Sequence, residues 1–319
     1  MAGRQAICIS APAKVNLFLE LLAKRPDGFH ELETLMASVD VCDELVIGRP
    51  LESFNETITL DARWADGFVA NQNSVFAASF GVLPPPEKNL VFRALELLRA
   101  ECGVTEGAAV TLTKQIPAEA GLGGASSDAA AALLAGNQFW GLGLSIARLA
   151  EIGAKLGSDV PFFLHGGYAV CRGRGEIIEP VQDLPPIWVV ILRPAFGLST
   201  PKVYARCQVP TTPRSLDGLF LGLRNRDEMA LAGQLVNRLW TPATEIEPRL
   251  GELPGLFDGA GLAAHQMSGS GSSYFGVTFD RAKAIRAAAI LRNRSAGFVG
   301  LARGGIKNAC IAACDTLSS

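Results

Sequence analysis

Residues 109–116 alternate, with Val110, Leu112 and Ile116 on one face and Thr111, Thr113 and Gln115 on the other, as in a half-buried strand. Pro117, which has no N–H to give a ladder, ends that strand. A stretch of small residues follows, Ala118-Glu-Ala-Gly121-Leu-Gly123-Gly124-Ala-Ser126-Ser127-Asp128, and then the alanine-rich run 129–135 of high helix propensity. Ser126, Ser127 and Asp128 all favour helix starts, so the pattern predicts strand, glycine turn, then a helix beginning where the glycines stop. Upstream, residues 6–22 read as an apolar strand region interrupted by the polar Lys14 and Asn16, which need a reason to be there. Asn89 caps a helix with apolar Leu90, Ala94, Leu97 and Leu98, closed by Gly103. Ser145 opens another, with Leu149, Ile152 and Leu156 on one stripe and a stop at Gly157. Asp159 therefore falls on a turn just past a helix. Residues 51–88 are looser and more polar, ending in three prolines, and read as an exposed excursion. Further on come a strand at 187–192, a second glycine and serine turn within 267–279 leading into a strand, and a helix at 281–292.

Composition bounds the function classes. Of 319 residues, 49% are hydrophobic and 19% charged, which fits a globular chain long enough for two domains. Lys and Arg total 29 against 31 Asp and Glu, so the net charge of −2 offers no global field for nucleic acid or anionic lipid. Any phosphate must be held locally. Apolar runs such as 187–192 fall well short of the roughly 20 residues that span a bilayer, and no secretion signal is legible, so the expected location is cytoplasmic. Cys8, Cys42, Cys102, Cys171, Cys207, Cys310 and Cys314 are odd in number and scattered, and read as reduced structural thiols. His30, His165 and His265 lie too far apart in sequence to suggest a zinc site. The proline-rich segment 180–186 is the natural linker, dividing the chain into residues 1–182 and 183–319.

The strand, glycine turn and helix form a phosphate cradle. Unpaired N–H groups at the helix start carry about half a positive charge, and glycines admit a phosphate chain close to the backbone. Two common forms of such a turn are excluded. A P-loop needs a Gly-Lys pair to reach the terminal phosphates, and the chain contains none. A dinucleotide fold needs an acidic residue about 20 positions onward, and residues 129–150 contain no Asp or Glu. A purely structural turn of small residues remains the plain alternative.

Three segments together resemble the GHMP superfamily of small-molecule kinases: Ala11-Pro-Ala-Lys14-Val-Asn16-Leu, Pro117-x-x-x-Gly-Leu-Gly-Gly-x-Ser-Ser-x-Ala129 and Ser268-Gly-Ser-Gly-Ser-Ser273. Within it, five elements are similar to the branch that phosphorylates 4-diphosphocytidyl-2-C-methyl-D-erythritol. They are Lys14-Val-Asn-Leu with Arg25-Pro-Asp-Gly28-Phe-His30, Asn89-Leu-Val, Leu156-Gly-Ser-Asp159-Val-Pro-Phe and Gly173-Arg-Gly-Glu176. The likeness spans nearly the whole chain. It implies an α+β two-domain GHMP kinase fold: a ribosomal-protein-S5-like nucleotide-binding domain at 1–182, a ferredoxin-like substrate-binding domain at 183–319, and the active site in the cleft between them. It further implies transfer of the γ-phosphate of ATP, with Mg2+, to the 2-hydroxyl of the methylerythritol unit, a step of non-mevalonate isoprenoid synthesis. The partners implied are small-molecule substrates, with neither nucleic acid nor membrane.

The resemblance also assigns roles. Asp159 would accept the hydroxyl proton, and Lys14 beside it would keep it ionised and stabilise charge on the transferring group. Without the resemblance, Asp159 reads as a turn former and Lys14 as an edge-strand lysine. Pro117, Gly121, Leu122, Gly123, Gly124, Ser126 and Ser127 would bind the triphosphate. Asn89 and Lys114 would lie near the nucleotide, although a helix cap and a surface charge are their plain readings. Phe29 and Tyr204 would trap the cytosine ring, with His30 on its edge and Asn16 contacting the acceptor. The family commonly has tyrosine at position 29 and phenylalanine opposite, so stacking is kept while the hydroxyl changes sides. Glu119 is a further departure, since a carboxylate in a phosphate cradle must face solvent or magnesium. Two other readings are a GHMP kinase for homoserine, mevalonate or a sugar, and a non-catalytic nucleotide-binding relative. Phe29, His30 and Tyr204 oppose the first, and the pair Lys14 and Asp159 opposes the second.

Overall fold

Two long strands carry the architecture of this computed structural model, which describes residues 6–50, 55–66, 80–295, 297–306 and 311–314. β1 (Ala6–Lys24) and β2 (His30–Gly48) form an antiparallel hairpin, with register shifts after Pro12, Asn16 and Leu21. The other strands are β3 (Ile58–Trp64), β4 (Ala108–Lys114), β5 (Tyr168–Gly173), β6 (Ile177–Val181), β7 (Ile187–Pro194), β8 (Val236–Asn237), β9 (Ala264–Met267), β10 (Tyr274–Thr278), β11 (Gly297–Gly304) and β12 (Ile311–Cys314). All described strands join one sheet, whose main path runs β12-β1-β2-β11-β7-β10-β9.

β2 presents its second edge to three partners in turn. β5 pairs with Leu32 to Ala37, β11 meets Val39, and β4 pairs with Glu44 to Gly48. The outer edge of β1 is divided differently. β12 pairs with its first residues as far as Ile9, and β8 lies parallel to Phe18 and Leu19. Between Ile9 and Phe18 that edge has no strand among the described residues. β1 also threads the whole interior: Ile7, Ile9 and Ala11 belong to one apolar cluster, Ala13, Val15 and Leu17 to a second, and Leu19 and Leu21 to a third.

The first cluster is covered by α1 (Leu90–Cys102), α2 (Gly124–Phe139), α3 (Ile146–Ala154) and α4 (Val160–His165). The caps follow the residue types. The Asn89 side chain accepts from the N–H of Val91, Gly103 closes α1 in the left-handed region, and the Ser145 hydroxyl accepts from the N–H of Arg148. α3 ends three residues before Gly157, with a turn completing the stripe. Within the expected excursion at 51–88, Ile58–Trp64 is a strand lying parallel to β4. Residues 51–54 and 67–79 fall outside the described residues, as does Cys310. Cys42, Cys102, Cys171 and Cys207 are thiols outside any disulfide. Pro180 and Val181 of the expected linker belong to β6; α5 (Thr200–Tyr204) and the helix Arg281–Arg294 follow later in the chain and share the third cluster, the long helix packing on β7 and β10. No described helix is long and apolar enough to cross a membrane.

Glu20 joins distant parts of the chain. Its fully buried carboxylate takes a two-pronged contact from Arg238, 2.6 Å on each oxygen, and accepts from the N–H groups of Leu21 and Arg214. Burial alone would raise its pKa, but the Arg238 fork and the two amides outweigh it, and the carboxyl titrates below its ordinary 4.5. Arg238→Ala, which leaves that carboxylate buried without its cation, should lower the unfolding free energy by about 3 kcal/mol at pH 7 in urea titrations. A depressed folded pKa contributes stability above the unfolded value, so the wild-type advantage should be complete above about pH 4.5 and shrink as pH falls through the lower folded value.

Candidate active site

The unpaired stretch of β1 is where the site is built. Buried backbone groups need partners, and here both glycine turns supply them. The N–H of Lys14 donates to the carbonyl of Leu122 at 2.9 Å, and that of Asn16 to the hydroxyl of Ser268 at 3.3 Å. The Gln266 amide donates to the carbonyls of Asn16 and Leu17, while Ser268 donates to the carbonyl of Gly121 at 2.9 Å. The two turns are thus tied to each other across the middle of β1. The polar residues interrupting this strand are explained: Lys14 and Asn16, 4% and 1% exposed, stand on the strip between them. Lys14 does stand on a strand edge, but one covered by the glycine turns and buried, so it is not a solvent-exposed edge lysine.

Lys14 Nζ donates to Asn16 Oδ1 at 2.5 Å, and the Asn16 amide donates to Thr34 Oγ1 at 2.9 Å, which fixes which way the amide faces. Asp159 Oδ2 lies 3.7 Å from Lys14 Nζ. Burial pulls the Lys14 pKa below its ordinary value despite the opposing pull of Asp159. Asp159 occupies the cap position of α4, where an aspartate usually caps the amides, yet its side chain makes no cap hydrogen bond. Its carboxylate, 29% exposed, is left facing the cleft.

That cleft measures about 1480 Å³. Asn89, Lys114, Pro117, Gly121, Gly123, Gly124 and Ser126 line it, as do Lys14, Asn16, Asp159, Phe29, His30 and Tyr204. Leu122 and Ser127 do not. α2 begins at Gly124 with Gly123 at its cap in the left-handed region, earlier than the serines suggested. Ser127 thereby falls inside the first turn on the core side, 1% exposed, and Leu122 packs in the second apolar cluster. The glycines are needed for approach as well as for φ. A Cβ on Gly121, at φ +71, would sit 2.2 Å from the Ser268 carbonyl oxygen, and one on Gly123 would strike the Phe163 ring.

Lys114 is no surface charge. It is 5% exposed and bridges Asp43 and Asp128, the latter at 2.5 Å, while Asp43 also accepts from the N–H groups of Gln115 and Ile116. Burial tends to lower its pKa, but Asp128 and Asp43 together raise it. Burial, with the Asp43 charge, raises the Asp128 carboxyl in turn. Glu119 has φ +51 and is exposed; a Cβ on Gly197 would lie 3.4 Å from both its Oε2 and Arg193 Nη2. Buried Arg193 donates to the Ala118 carbonyl, so Glu119 faces a guanidinium that holds its own loop.

At the opposite end, the His30 and Tyr204 rings are 5.7 Å apart, and Phe29 stands 53% exposed on the turn from β1 to β2. Burial, with the nearby Lys24 charge, lowers the His30 pKa and favours the neutral imidazole. Burial pushes the Tyr204 phenol up, with a contribution from the Asp159 charge. Thr34, Gln266, Asp43 and Asp128 were not foreseen as site residues. Their polar side chains at interior strand or helix positions were the available signal, of the same kind that marked Lys14.

Residues 89–167 match the model of the GHMP kinases N terminal domain. The 4-diphosphocytidyl-2-C-methyl-D-erythritol kinase of Pelotomaculum thermopropionicum is 41% identical over 284 residues, 88% of this chain and 92% of that protein. The chain belongs to the 4-diphosphocytidyl-2-C-methyl-D-erythritol kinase family. The Geobacillus thermodenitrificans kinase of the same name is 38% identical over 272 residues, 85% of this chain and 88% of that protein. A crystal structure of a 4-(cytidine 5'-diphospho)-2C-methyl-D-erythritol kinase superposes with TM-score 0.76 at 33% identity, covering 94% of this chain and 99% of that one. The homoserine kinase of Cytophaga hutchinsonii, 20% identical, shares the fold with TM-score 0.70 over 98% of this chain and 99% of that one. The GHMP kinase fold expected from sequence is therefore the one observed.

The glycine contacts separate two kinds of strain. Gly103→Ala, at φ +65 with open space around it, should cost about 1 kcal/mol in thermal denaturation. Gly121→Ala, at similar φ but against the Ser268 carbonyl, should lower the melting temperature further and abolish turnover. Equal stability of the two variants would show that the turns are not in fixed contact.

Proposed function

We propose that this kinase transfers the γ-phosphate of ATP to the 2-hydroxyl of 4-diphosphocytidyl-2-C-methyl-D-erythritol, the family's substrate by name, as a step of non-mevalonate isoprenoid synthesis. The observation that carries the mechanism is the uncapped Asp159 carboxylate, 3.7 Å from buried Lys14, in the cleft that the glycine turn also lines. Asp159 accepts the proton of the acceptor hydroxyl as the oxygen attacks the γ-phosphorus in line. Lys14, oriented by Asn16, keeps Asp159 ionised and stabilises charge on the phosphoryl oxygens. The backbone of Gly121, Gly123 and Gly124 with the Ser126 hydroxyl cradles the triphosphate. Lys114 serves from beneath, fixing strand end and helix start through Asp43 and Asp128. Phe29, His30 and Tyr204 take the cytosine. Residues 1–182 and 183–319 are the two units whose cleft this is, with Phe29 and His30 reaching the acceptor from the first.

Magnesium fits the donor set. Such an ion binds through one or two carboxylates plus substrate phosphates. Asp128, whose Oδ1 is buried without a protein partner, and Asp159 are the carboxylates that would hold it. When bound it would neutralise charge developing on the phosphate oxygens.

A coupled ADP-release assay should give turnover with 4-diphosphocytidyl-2-C-methyl-D-erythritol and none with homoserine or mevalonate; the reverse pattern would end this reading. Asp159→Asn should bind ATP normally while kcat drops by about 10² or more. Near-wild-type turnover would remove Asp159 from the base role. Lys14 must be charged to act, and its pKa is lowered by burial, so kcat/KM should decline on the alkaline side before the ordinary lysine value of 10.5.

A further inference from the structure

The acceptor proposed above is linear: a cytidine at one end, the reacting alcohol at the other, and a diphosphate between. Resting on that reading, its two ends are placed by Phe29, His30 and Tyr204 and by Asp159 with Lys14, so the diphosphate must lie along the wall joining them. That wall includes Arg174. It sits at the tip of the turn between β5 and β6, flanked by Gly173 at φ +72 and Gly175 at φ +114. A Cβ on Gly175 would be 3.7 Å from Asp159 Oδ1, so this tip touches the catalytic end. The Arg174 guanidinium lies 4.9 Å from the centre of the Phe29 ring, so the same residue touches the cytidine end.

Charge singles it out further. Lys14 and Lys114 also line the cleft, but Lys114 is engaged with buried carboxylates and Lys14 is given to the transferring phosphoryl group beside Asp159. Lys88 stands just before Asn89, on the nucleotide side, and Lys24 lies at the outer mouth beside His30. Arg174 has a backbone tie, its N–H donating to Glu176 Oε2 at 2.6 Å, while its guanidinium pairs loosely with Glu176 at 3.7 Å and lies near the Asp27 charge. Its five donors therefore make no hydrogen bond within the described residues, although the ring beneath already restricts its conformations.

We infer that Arg174 is the diphosphate clamp of the acceptor site, with its fork placed on the Phe29 ring to take the two phosphates between the cytosine and the reacting alcohol. A planar, pre-oriented guanidinium suits bidentate contact to phosphate oxygens. Arg174 then sets specificity, selecting a cytidine diphosphate ester over a nucleoside, and takes no part in proton transfer.

Calorimetry with cytidine and with CDP, in saturating non-hydrolysable ATP analogue to occupy the nucleotide site, tests this. The wild type should bind CDP at least tenfold more tightly than cytidine. Arg174→Gln should reduce that ratio to near one while keeping cytidine affinity, and should raise the acceptor KM by about tenfold or more with ATP KM unchanged, the loss lying in KM rather than kcat. Arg174→Lys, which keeps the charge without the fork, should recover part of the ratio; this separates a clamp from a residue needed only for folding. A CDP-to-cytidine ratio undisturbed in Arg174→Gln overturns the clamp alone. A wild type that binds neither probe overturns the cytidine pocket, and the clamp with it.

Discussion

Between Ile9, where β12 stops pairing, and Phe18, where β8 begins, one edge of β1 is buried with no described strand beside it. Each orphaned amide and carbonyl there would cost about 1–3 kcal/mol if left unpaired. The partners that satisfy them are Leu122, Ser268 and Gln266, and two of these stand about 250 positions away in the chain. Satisfying one strand edge therefore brings both glycine turns together, and the side chains on that strip are Lys14 and Asn16. The reactive centre is a by-product of closing a sheet edge with loops instead of a strand.

Two buried lysines show how the same burial leads to opposite outcomes. Lys114 touches two carboxylates and is held firmly charged, a cross-brace beneath the cradle. Lys14 has one amide at contact distance and one carboxylate at 3.7 Å, too little to offset its desolvation. A cation so weakly compensated has most to gain from an arriving phosphate. The difference lies in the number of carboxylates around each ammonium, and it divides a structural residue from a reactive one.

Much of this was legible in the chain, and the gaps have physical causes. The Asn89 and Ser145 caps, the β4 alternation and the misfit of Lys14 in an apolar strand are local signals, and local hydrogen bonding and periodicity decide them. The same alternation places Lys114 in phase with Val110 and Leu112, the inward face, but a lysine there looked like a surface charge because its neutralisers, Asp43 and Asp128, lie on other elements. Ser127 was misplaced because Gly123, at φ +73, starts the helix without any side-chain cap, so the serines that resemble caps fall inside it. Glu119 faces Arg193, on a strand 74 positions later, and no residue near it in the chain signals that partner. Contacts of that separation leave no periodic trace.

The same long reach has a consequence for synthesis. β1 emerges from the ribosome well ahead of the segments that complete it, since Asn16 awaits Ser268 and Ala6 awaits Cys314. At about 5–20 residues per second the strand waits roughly ten to sixty seconds for its partners. It is apolar on one face throughout, and its middle edge stays open for all of that time, a template for unwanted pairing. Nascent chains of this enzyme are therefore exposed to aggregation until the Ser268 turn and the 311–314 strand are made, and a ribosome-bound chaperone covering β1 would matter more here than for a protein whose neighbours in space are neighbours in sequence.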